Sequence, residues 1–172
     1  MLGRTEYYPQ FFTATILEWK YLLKPDKYKN IITDSLDFLV TEKRAAVYGF
    51  VIMPNHMHLI WHIAEGHKRE DVQRDFLKYT AQQIKFDLIE QHPALLEKFK
   101  VGARDRTYQI WERNPLSISL FSKNVFLQKL DYIHNNPVNA GLCSLPEEYI
   151  YSSASFYINE DKRWSFLTHY EG

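Results

Sequence analysis

From Phe11 to Leu23 apolar and polar residues alternate loosely, in a stretch rich in Phe, Thr, Ile and Trp that predicts a first strand. Beyond Pro25 the spacing becomes helical, with Ile31, Ile32, Leu36, Phe38, Leu39 and Val40 recurring through about Thr41. Ala45 to Met53 predicts a second strand, Pro54-Asn55 a tight turn, and His56 to Ile63 the return strand. After a polar break at Glu65 to Lys68, a long helix is predicted from about Glu70 to Glu90, with Val72, Phe76, Tyr79, Ile84 and Leu88 on its buried side. His92-Pro93 ends or kinks it, and Ala94 to Phe99 is long enough for one more turn. Thr107 to Glu112 predicts a fourth strand, broken by Asn114-Pro115. Leu116 to Asn136 then predicts a helix, with Phe121, Val125, Phe126, Leu130 and Ile133 as core positions and Pro137 as its stop. From Asn139 onward the chain is turn-rich and aromatic, with little periodicity.

The order is therefore β-α-β-β-α-β followed by a further helix, an α+β arrangement. It is compatible with a ferredoxin-like split βαβ: an antiparallel sheet with helices on one face, plus a C-terminal helix bearing Tyr132. In that topology the first and third strands are central, so the strand carrying His56 and His58 is firmly held. A chain of 172 residues suits one domain, with a core at about 5–142 and an aromatic tail at 143–172.

Composition narrows the function only a little. Formal net charge is zero, with 21 basic and 21 acidic residues, so a nucleic-acid partner would have to meet a local basic surface. The one cysteine, Cys143, excludes an internal disulfide framework and a cysteine-based zinc knuckle. No apolar run approaches the ~20 residues that span a bilayer, and the start MLGRTEYYPQ lacks a signal-peptide core, so a cytoplasmic protein is expected.

The chemistry begins in the third strand, within Pro54-Asn55-His56-Met57-His58-Leu59-Ile60-Trp61. Side chains alternate along a strand, so His56 and His58 share one face while Met57 and Leu59 take the other. Two imidazoles on a rigid strand make half of a divalent metal site, and a third ligand must come from elsewhere. On spacing alone the pair can equally be two satisfied structural histidines. A second candidate stretch is Tyr132-Ile133-His134-Asn135-Asn136-Pro137-Val138-Asn139-Ala140-Gly141-Leu142. Tyr132 and Asn136 stand four apart on a predicted helix and share a face, so a phenol and an amide oxygen are presented together. Spacing is met as well by a packed tyrosine and an asparagine that closes the helix. Tyr79 with Gln83 offers the same i, i+4 pattern, although core packing suits Tyr79 better.

The segments PNHMHLIW and YIHNNPVNAGL together resemble the single-tyrosine HUH transposases, most closely their REP-associated tyrosine transposase branch. Phe76-Leu77-Lys78-Tyr79-Thr80-Ala81 adds to the likeness, which spans roughly residues 5 to 155. The resemblance implies a ferredoxin-like endonuclease core that cleaves and rejoins hairpin-flanked single-stranded DNA through a 5′-phosphotyrosine intermediate. It implies that His56 and His58 hold Mg²⁺ or Mn²⁺, that Tyr132 is the nucleophile, and that Asn136 is the third ligand, with His134 as its rival. A free phenol ionises near pH ~10 and is a poor nucleophile at neutral pH, which an ion polarising the phosphate offsets. Relatives act as monomers or homodimers. A fold retained for binding DNA or RNA hairpins after loss of chemistry is one alternative, and a hydrolytic metal-dependent nuclease is another.

Basic residues that could meet phosphates fall in groups. Arg74, Lys78 and Lys85 lie near one side of the 70–90 helix, and Lys98, Lys100, Arg104 and Arg106 cluster in the following loop. Trp111, Arg113, Tyr149, Tyr151 and Phe156 could stack on unpaired bases, although each can equally be buried.

Overall fold

A computed structural model describes residues 8–172; residues 1–7, counted in the domain by the sequence reading, lie outside the described residues. Four strands, β1 (Gln10–Thr15), β2 (Ala45–Ile52), β3 (His56–Ile63) and β4 (Leu116–Ser119), form one sheet in the order β2-β3-β1-β4. Every pairing among these four strands is antiparallel. This is the expected ferredoxin-like order, with β1 and β3 in the middle. Among the described residues five α-helices accompany them: α1 (Asp26–Thr41), α2 (Arg69–Gln91), α3 (Pro93–Glu97), α4 (Lys123–Asn139) and α5 (Ala154–Asn159).

Strand alternation divides the core in two. Phe12, Met57, Leu59 and Trp61 pack with Ile32 and Leu36 of α1 and with Phe76, Ile84 and Leu88 of α2. On the other face Phe11, Val51 and Ile60 pack with Phe126, Leu130 and Ile133 of α4. The face carrying His58 and Ile60 is therefore the one that α4 covers. Gly49 permits that cover to sit close. A Cβ there would lie 2.7 Å from Leu130 Cδ1, at a point where the β2–β3 register shifts between Val47 and Gly49.

Four local expectations are corrected. The first strand ends at Thr15 rather than running to Leu23; a 3-10 turn (Leu17–Trp19) follows, in which Glu18 and Trp19 both have positive φ, at 55° and 57°. Thr107 to Glu112 does not form the fourth strand. It makes isolated bridges, Lys100 with Tyr108 and Ile16 with Trp111, and the edge strand is Leu116–Ser119, in the stretch predicted to be helical. Ser117 and Ser119 face Gln10 and donate to its Oε1 at 3.4 and 3.3 Å, and the edge position tolerates the exposed Leu116 and Ile118. The helix starts only at Lys123, where the Ser122 hydroxyl caps the N–H of Val125 at 3.2 Å. Finally, Pro137 lies inside α4 instead of stopping it, because it falls in the last turn where a missing N–H removes a single bond. The chain turns only at Gly141, whose φ is 76°. Among the predicted buried positions, Tyr79, Phe121 and Val125 are exposed.

Candidate active site

Register sets the site. Thr13 of β1 pairs with His58, and Thr15 with His56, so both imidazoles stand on the central strands beneath α4. The two rings are 4.9 Å apart between centroids. Tyr132 approaches from α4 with its ring 5.5 Å from that of His58, and it is 50% exposed. One turn further along the helix, Asn136 Oδ1 lies 3.1 Å from His56 Nε2. The continuation of α4 through Pro137 keeps Asn136 in helical geometry and so on the same face as Tyr132. The sequence-derived set of His56, His58, Tyr132 and Asn136 thus converges at one place.

Each imidazole is oriented from behind. Thr13 Oγ1 lies 2.7 Å from His58 Nδ1, and Asn55 Oδ1 lies 2.7 Å from His56 Nδ1. In the tautomer whose Nδ1–H donates to Thr13 Oγ1 the lone pair of His58 Nε2 is free, and among the described residues that buried atom has no partner. His56 presents a related conflict. A neutral imidazole carries one N–H, yet both of its nitrogens face an amide oxygen. A cation shared between His56 Nε2 and Asn136 Oδ1 relieves the conflict, as does a turned amide of either Asn136 or Asn55. Burial lowers the His56 pKa, partly opposed by the Asn136 contact. The His58 pKa falls to about 3, first through burial and then because a charge on it would be repelled by a protonated His56 and by Lys129. Both rings are held neutral, the form that ligates a metal.

The donor set fits a divalent ion. Among the described residues no group of three His, Cys, Asp or Glu could hold one, and the further protein donor beside the two imidazoles is the Asn136 amide oxygen. The 3.1 Å separation of His56 Nε2 and Asn136 Oδ1 matches adjacent ligands of an octahedron with bonds of ~2.1 Å, which sit roughly 3 Å apart. His134, the rival ligand, faces away. Its Nε2 lies 2.7 Å from Ser153 Oγ, and burial lowers its pKa to about 4. Tyr79 with Gln83 lies on α2, across the sheet from the histidines.

Lys129, one turn before Tyr132, was not singled out by the sequence. Its ammonium lies 4.9 Å from the Phe11 ring centre and 5.8 Å from that of Tyr132. Among the described residues it has no carboxylate partner. The 129, 132, 136 spacing on a helix, with a basic first member, was the signal available.

The basic groups separate. Arg74, Lys78, Lys85, Arg106 and Arg113 line one groove of about 930 Å³ between α2 and the 105–115 segment. Lys98, Lys100 and Arg104 are exposed but lie outside that groove. Many of the charges are already matched: Arg74 pairs with Asp71 and Asp75, Arg106 and Arg113 with Asp105, and Lys100 with Glu97. Trp111 is buried, donating its indole N–H to Thr80 Oγ1 at 3.1 Å. Tyr149 donates to the Ile52 carbonyl at 2.6 Å, so it braces β2.

This fold is similar to that of a solved tyrosine transposase. A solved REP-associated tyrosine transposase, bound to a REP hairpin, matches with a TM-score of 0.66 at 18% identity, over 88% of this chain and 79% of its own. A candidate transposase from Deinococcus radiodurans is similar over 78% of this chain and 96% of its own, at 16% identity and a TM-score of 0.47. No model of a known protein family matches the chain, and neither does any curated protein. At these identities the likeness is one of fold. No helix among the described residues is long and apolar enough to cross a membrane.

Proposed function

We propose that the protein is a metal-dependent tyrosine transposase that cleaves and rejoins single-stranded DNA, with hairpin DNA as its partner. The observation that carries this reading is the bare, buried His58 Nε2, set beside His56, Asn136 and the accessible Tyr132. The large majority of buried side-chain polar atoms are hydrogen-bonded, and this one, among the described residues, is not. The fold shared with a hairpin-bound REP-associated tyrosine transposase adds support.

The ion would be held by His56 Nε2, His58 Nε2 and Asn136 Oδ1, and when bound it polarises a phosphate as a Lewis acid. Two imidazoles and one amide oxygen suit Mn²⁺ somewhat better than Mg²⁺, which prefers all-oxygen shells. Thr13 and Asn55 fix the ring orientations. Tyr132 Oη attacks phosphorus, the bond from phosphorus to the 3′-oxygen breaks, and the phenol proton passes to solvent. The departing 3′-oxygen takes a proton from water, leaving a free 3′-hydroxyl and a 5′-phosphotyrosine. Attack by a 3′-hydroxyl reverses these events and joins strands without ATP. Lys129 supplies positive charge on the same helix face as the nucleophile. Because Tyr132 meets the histidines of its own chain, one subunit carries a full set of these groups.

Incubation with a labelled single-stranded hairpin library and Mn²⁺ or Mg²⁺, followed by denaturing electrophoresis and mass spectrometry, tests the proposal. The expected product is a DNA adduct on Tyr132 that is lost in Tyr132→Phe and His56→Ala. Cleavage without an adduct would identify a hydrolytic nuclease instead. Binding without cleavage in both metals would identify a retired hairpin-binding domain.

A further inference from the structure

Trp19 is an aromatic residue whose position folding leaves unexplained. It is 59% exposed, and Tyr21, two residues on, is 69% exposed. Its backbone lies in the left-handed region at φ 57°, directly after Glu18 at φ 55°, and neither residue is glycine. Two consecutive residues of this kind are destabilising, and such conformations gather where the surroundings over-determine them, often at binding sites. The surroundings here do so. Glu112 Oε1 accepts the Glu18 N–H at 2.7 Å, Trp19 N–H donates to the Ile16 carbonyl at 2.9 Å, and Lys20 donates to Glu18 Oε2 at 3.0 Å. Ile16 N–H in turn donates to the Asn55 carbonyl at 2.9 Å, which ties this turn to the residue that orients His56.

The result of this bracing is an indole held out in solvent beside the candidate metal site. The Trp19 ring stands 5.8 Å from the His56 ring at 64°, an edge-on contact that leaves most of the indole uncovered. A core role does not account for the position, since Trp61 and Trp111 are buried and Trp19 is not. Nor is an ion pair or a side-chain hydrogen bond of Trp19 present among the described residues. What remains is a flat π surface one ring away from where a phosphate would be held.

We propose that Trp19 is a stacking platform for one unpaired nucleobase next to the phosphate bound at His56, His58 and Asn136. This rests on the reading of that site as one that takes nucleic acid. The chemical consequence is selectivity for single-stranded substrate. A base in a duplex is stacked on both sides and cannot offer a face to the indole, whereas any unpaired base can, with little sequence preference. Trp19 binds substrate here; it takes no part in bond making.

The test is a fluorescence titration of the full chain with short single-stranded oligonucleotides and with the matching duplex, in Mg²⁺, with Tyr132→Phe carried in every chain compared, the one otherwise of wild-type sequence included, so that no cleavage intervenes. Wild type is expected to show quenching with single strands, because Trp19 is the exposed indole next to the site. Trp19→Ala and Trp19→Leu should each lose about ten- to a hundredfold in single-strand affinity, followed by anisotropy of a labelled strand, and Trp19→Phe should lose less. Duplex affinity should not change. An oligonucleotide series lacking one base at successive positions adds a readout that a purely structural role would not move. At one position the missing base should abolish the difference between wild type and Trp19→Ala. Unchanged affinity in Trp19→Ala, with wild type binding single strands well, overturns the platform and leaves the site reading standing. A base-independent loss does the same, since it would mean that Trp19 only props His56. Absence of any nucleic-acid binding by wild type overturns both.

Discussion

Asn136 Oδ1 stands 3.1 Å from His56 Nε2, joining the end of a helix to the start of a strand 80 residues earlier. That contact is stable if something positive lies between two lone pairs, or if it is an ordinary hydrogen bond, with either the Asn136 or the Asn55 amide turned so that the imidazole needs only one N–H. The two possibilities make opposite predictions. With a shared ion, Asn136→Ala weakens Mn²⁺ binding by at least about tenfold, and Asn136→Asp strengthens it, because a carboxylate is a harder and charged ligand. With a turned amide that merely braces His56, both substitutions leave metal affinity where it was. Calorimetric titration of Mn²⁺ into the DNA-free protein separates them.

Thr13 acts on His58 from the neighbouring strand, at a position fixed by the Thr13–His58 register. Thr13→Val keeps the shape and removes the hydroxyl that selects the tautomer. The expected outcome is a loss of metal affinity of about 10- to 100-fold, typical of partners behind a ligand, with the far-ultraviolet circular dichroism unchanged. Thr13→Ser should restore most of it.

Much of this was legible in the sequence because strand alternation and helix periodicity are local. The His-x-His spacing placed two rings on one face, and the four-residue step placed Tyr132 with Asn136. The fourth strand was misread since Thr107 to Glu112 has the better strand composition, while Leu116–Ser119 gains its place only by pairing with β1 across about a hundred residues. Trp19 and Lys129 were missed for a similar reason. A tryptophan in an apolar stretch reads as core until a left-handed turn expels it, and one lysine among many shows nothing until its neighbours are known. The fate of His134 also needed the fold, since Ser153, its partner, lies in the aperiodic tail.

Lys129 should matter for chemistry more than for binding. Its ammonium is close to both the Tyr132 ring and the site, so its positive charge opposes the negative charge that builds on the phosphate oxygens. Lys129→Ala is expected to slow adduct formation by about ten- to a hundredfold with DNA affinity changed only a few-fold, and Lys129→Arg to recover part of the rate. Single-turnover kinetics with excess protein distinguishes this from a simple contact to DNA, which would lower affinity and leave the rate at saturation intact.

Acid should destabilise the fold through His134. In the folded state burial lowers its pKa to about 4, against an ordinary value of 6.5. As pH falls below about 6.5 the unfolded chain takes up a proton that the folded chain refuses, so stability rises with pH across this window and is lost on moving down toward 4. The contribution is on the order of a few kcal/mol. His134→Gln should flatten the slope of urea-unfolding free energy between pH 7 and 5. If the slope is unaltered, other groups carry the acid sensitivity, with His58 next in line because its pKa is also lowered by burial.

Gly49 links the packing of the sheet to the chemistry. It lies under α4, and an added methyl would meet Leu130 Cδ1 at 2.7 Å and Ile133 Cδ1 at 3.2 Å. Leu130 and Ile133 flank Tyr132 in sequence and anchor the helix that presents it. The methyl of Gly49→Ala must therefore push α4 outward or force these side chains from their rotamers, at about 1–3 kcal/mol. Any outward shift of α4 carries Tyr132 and Asn136 away from His58 and His56, which belong to the sheet. The variant is expected to remain folded, to lose metal affinity and to form the tyrosine adduct at least tenfold more slowly. Pairing it with Leu130→Ala makes room for the methyl, and the pair should recover adduct formation relative to Gly49→Ala alone. Recovery of stability without recovery of adduct would show that α4 tolerates displacement and that Tyr132 is not positioned by this contact.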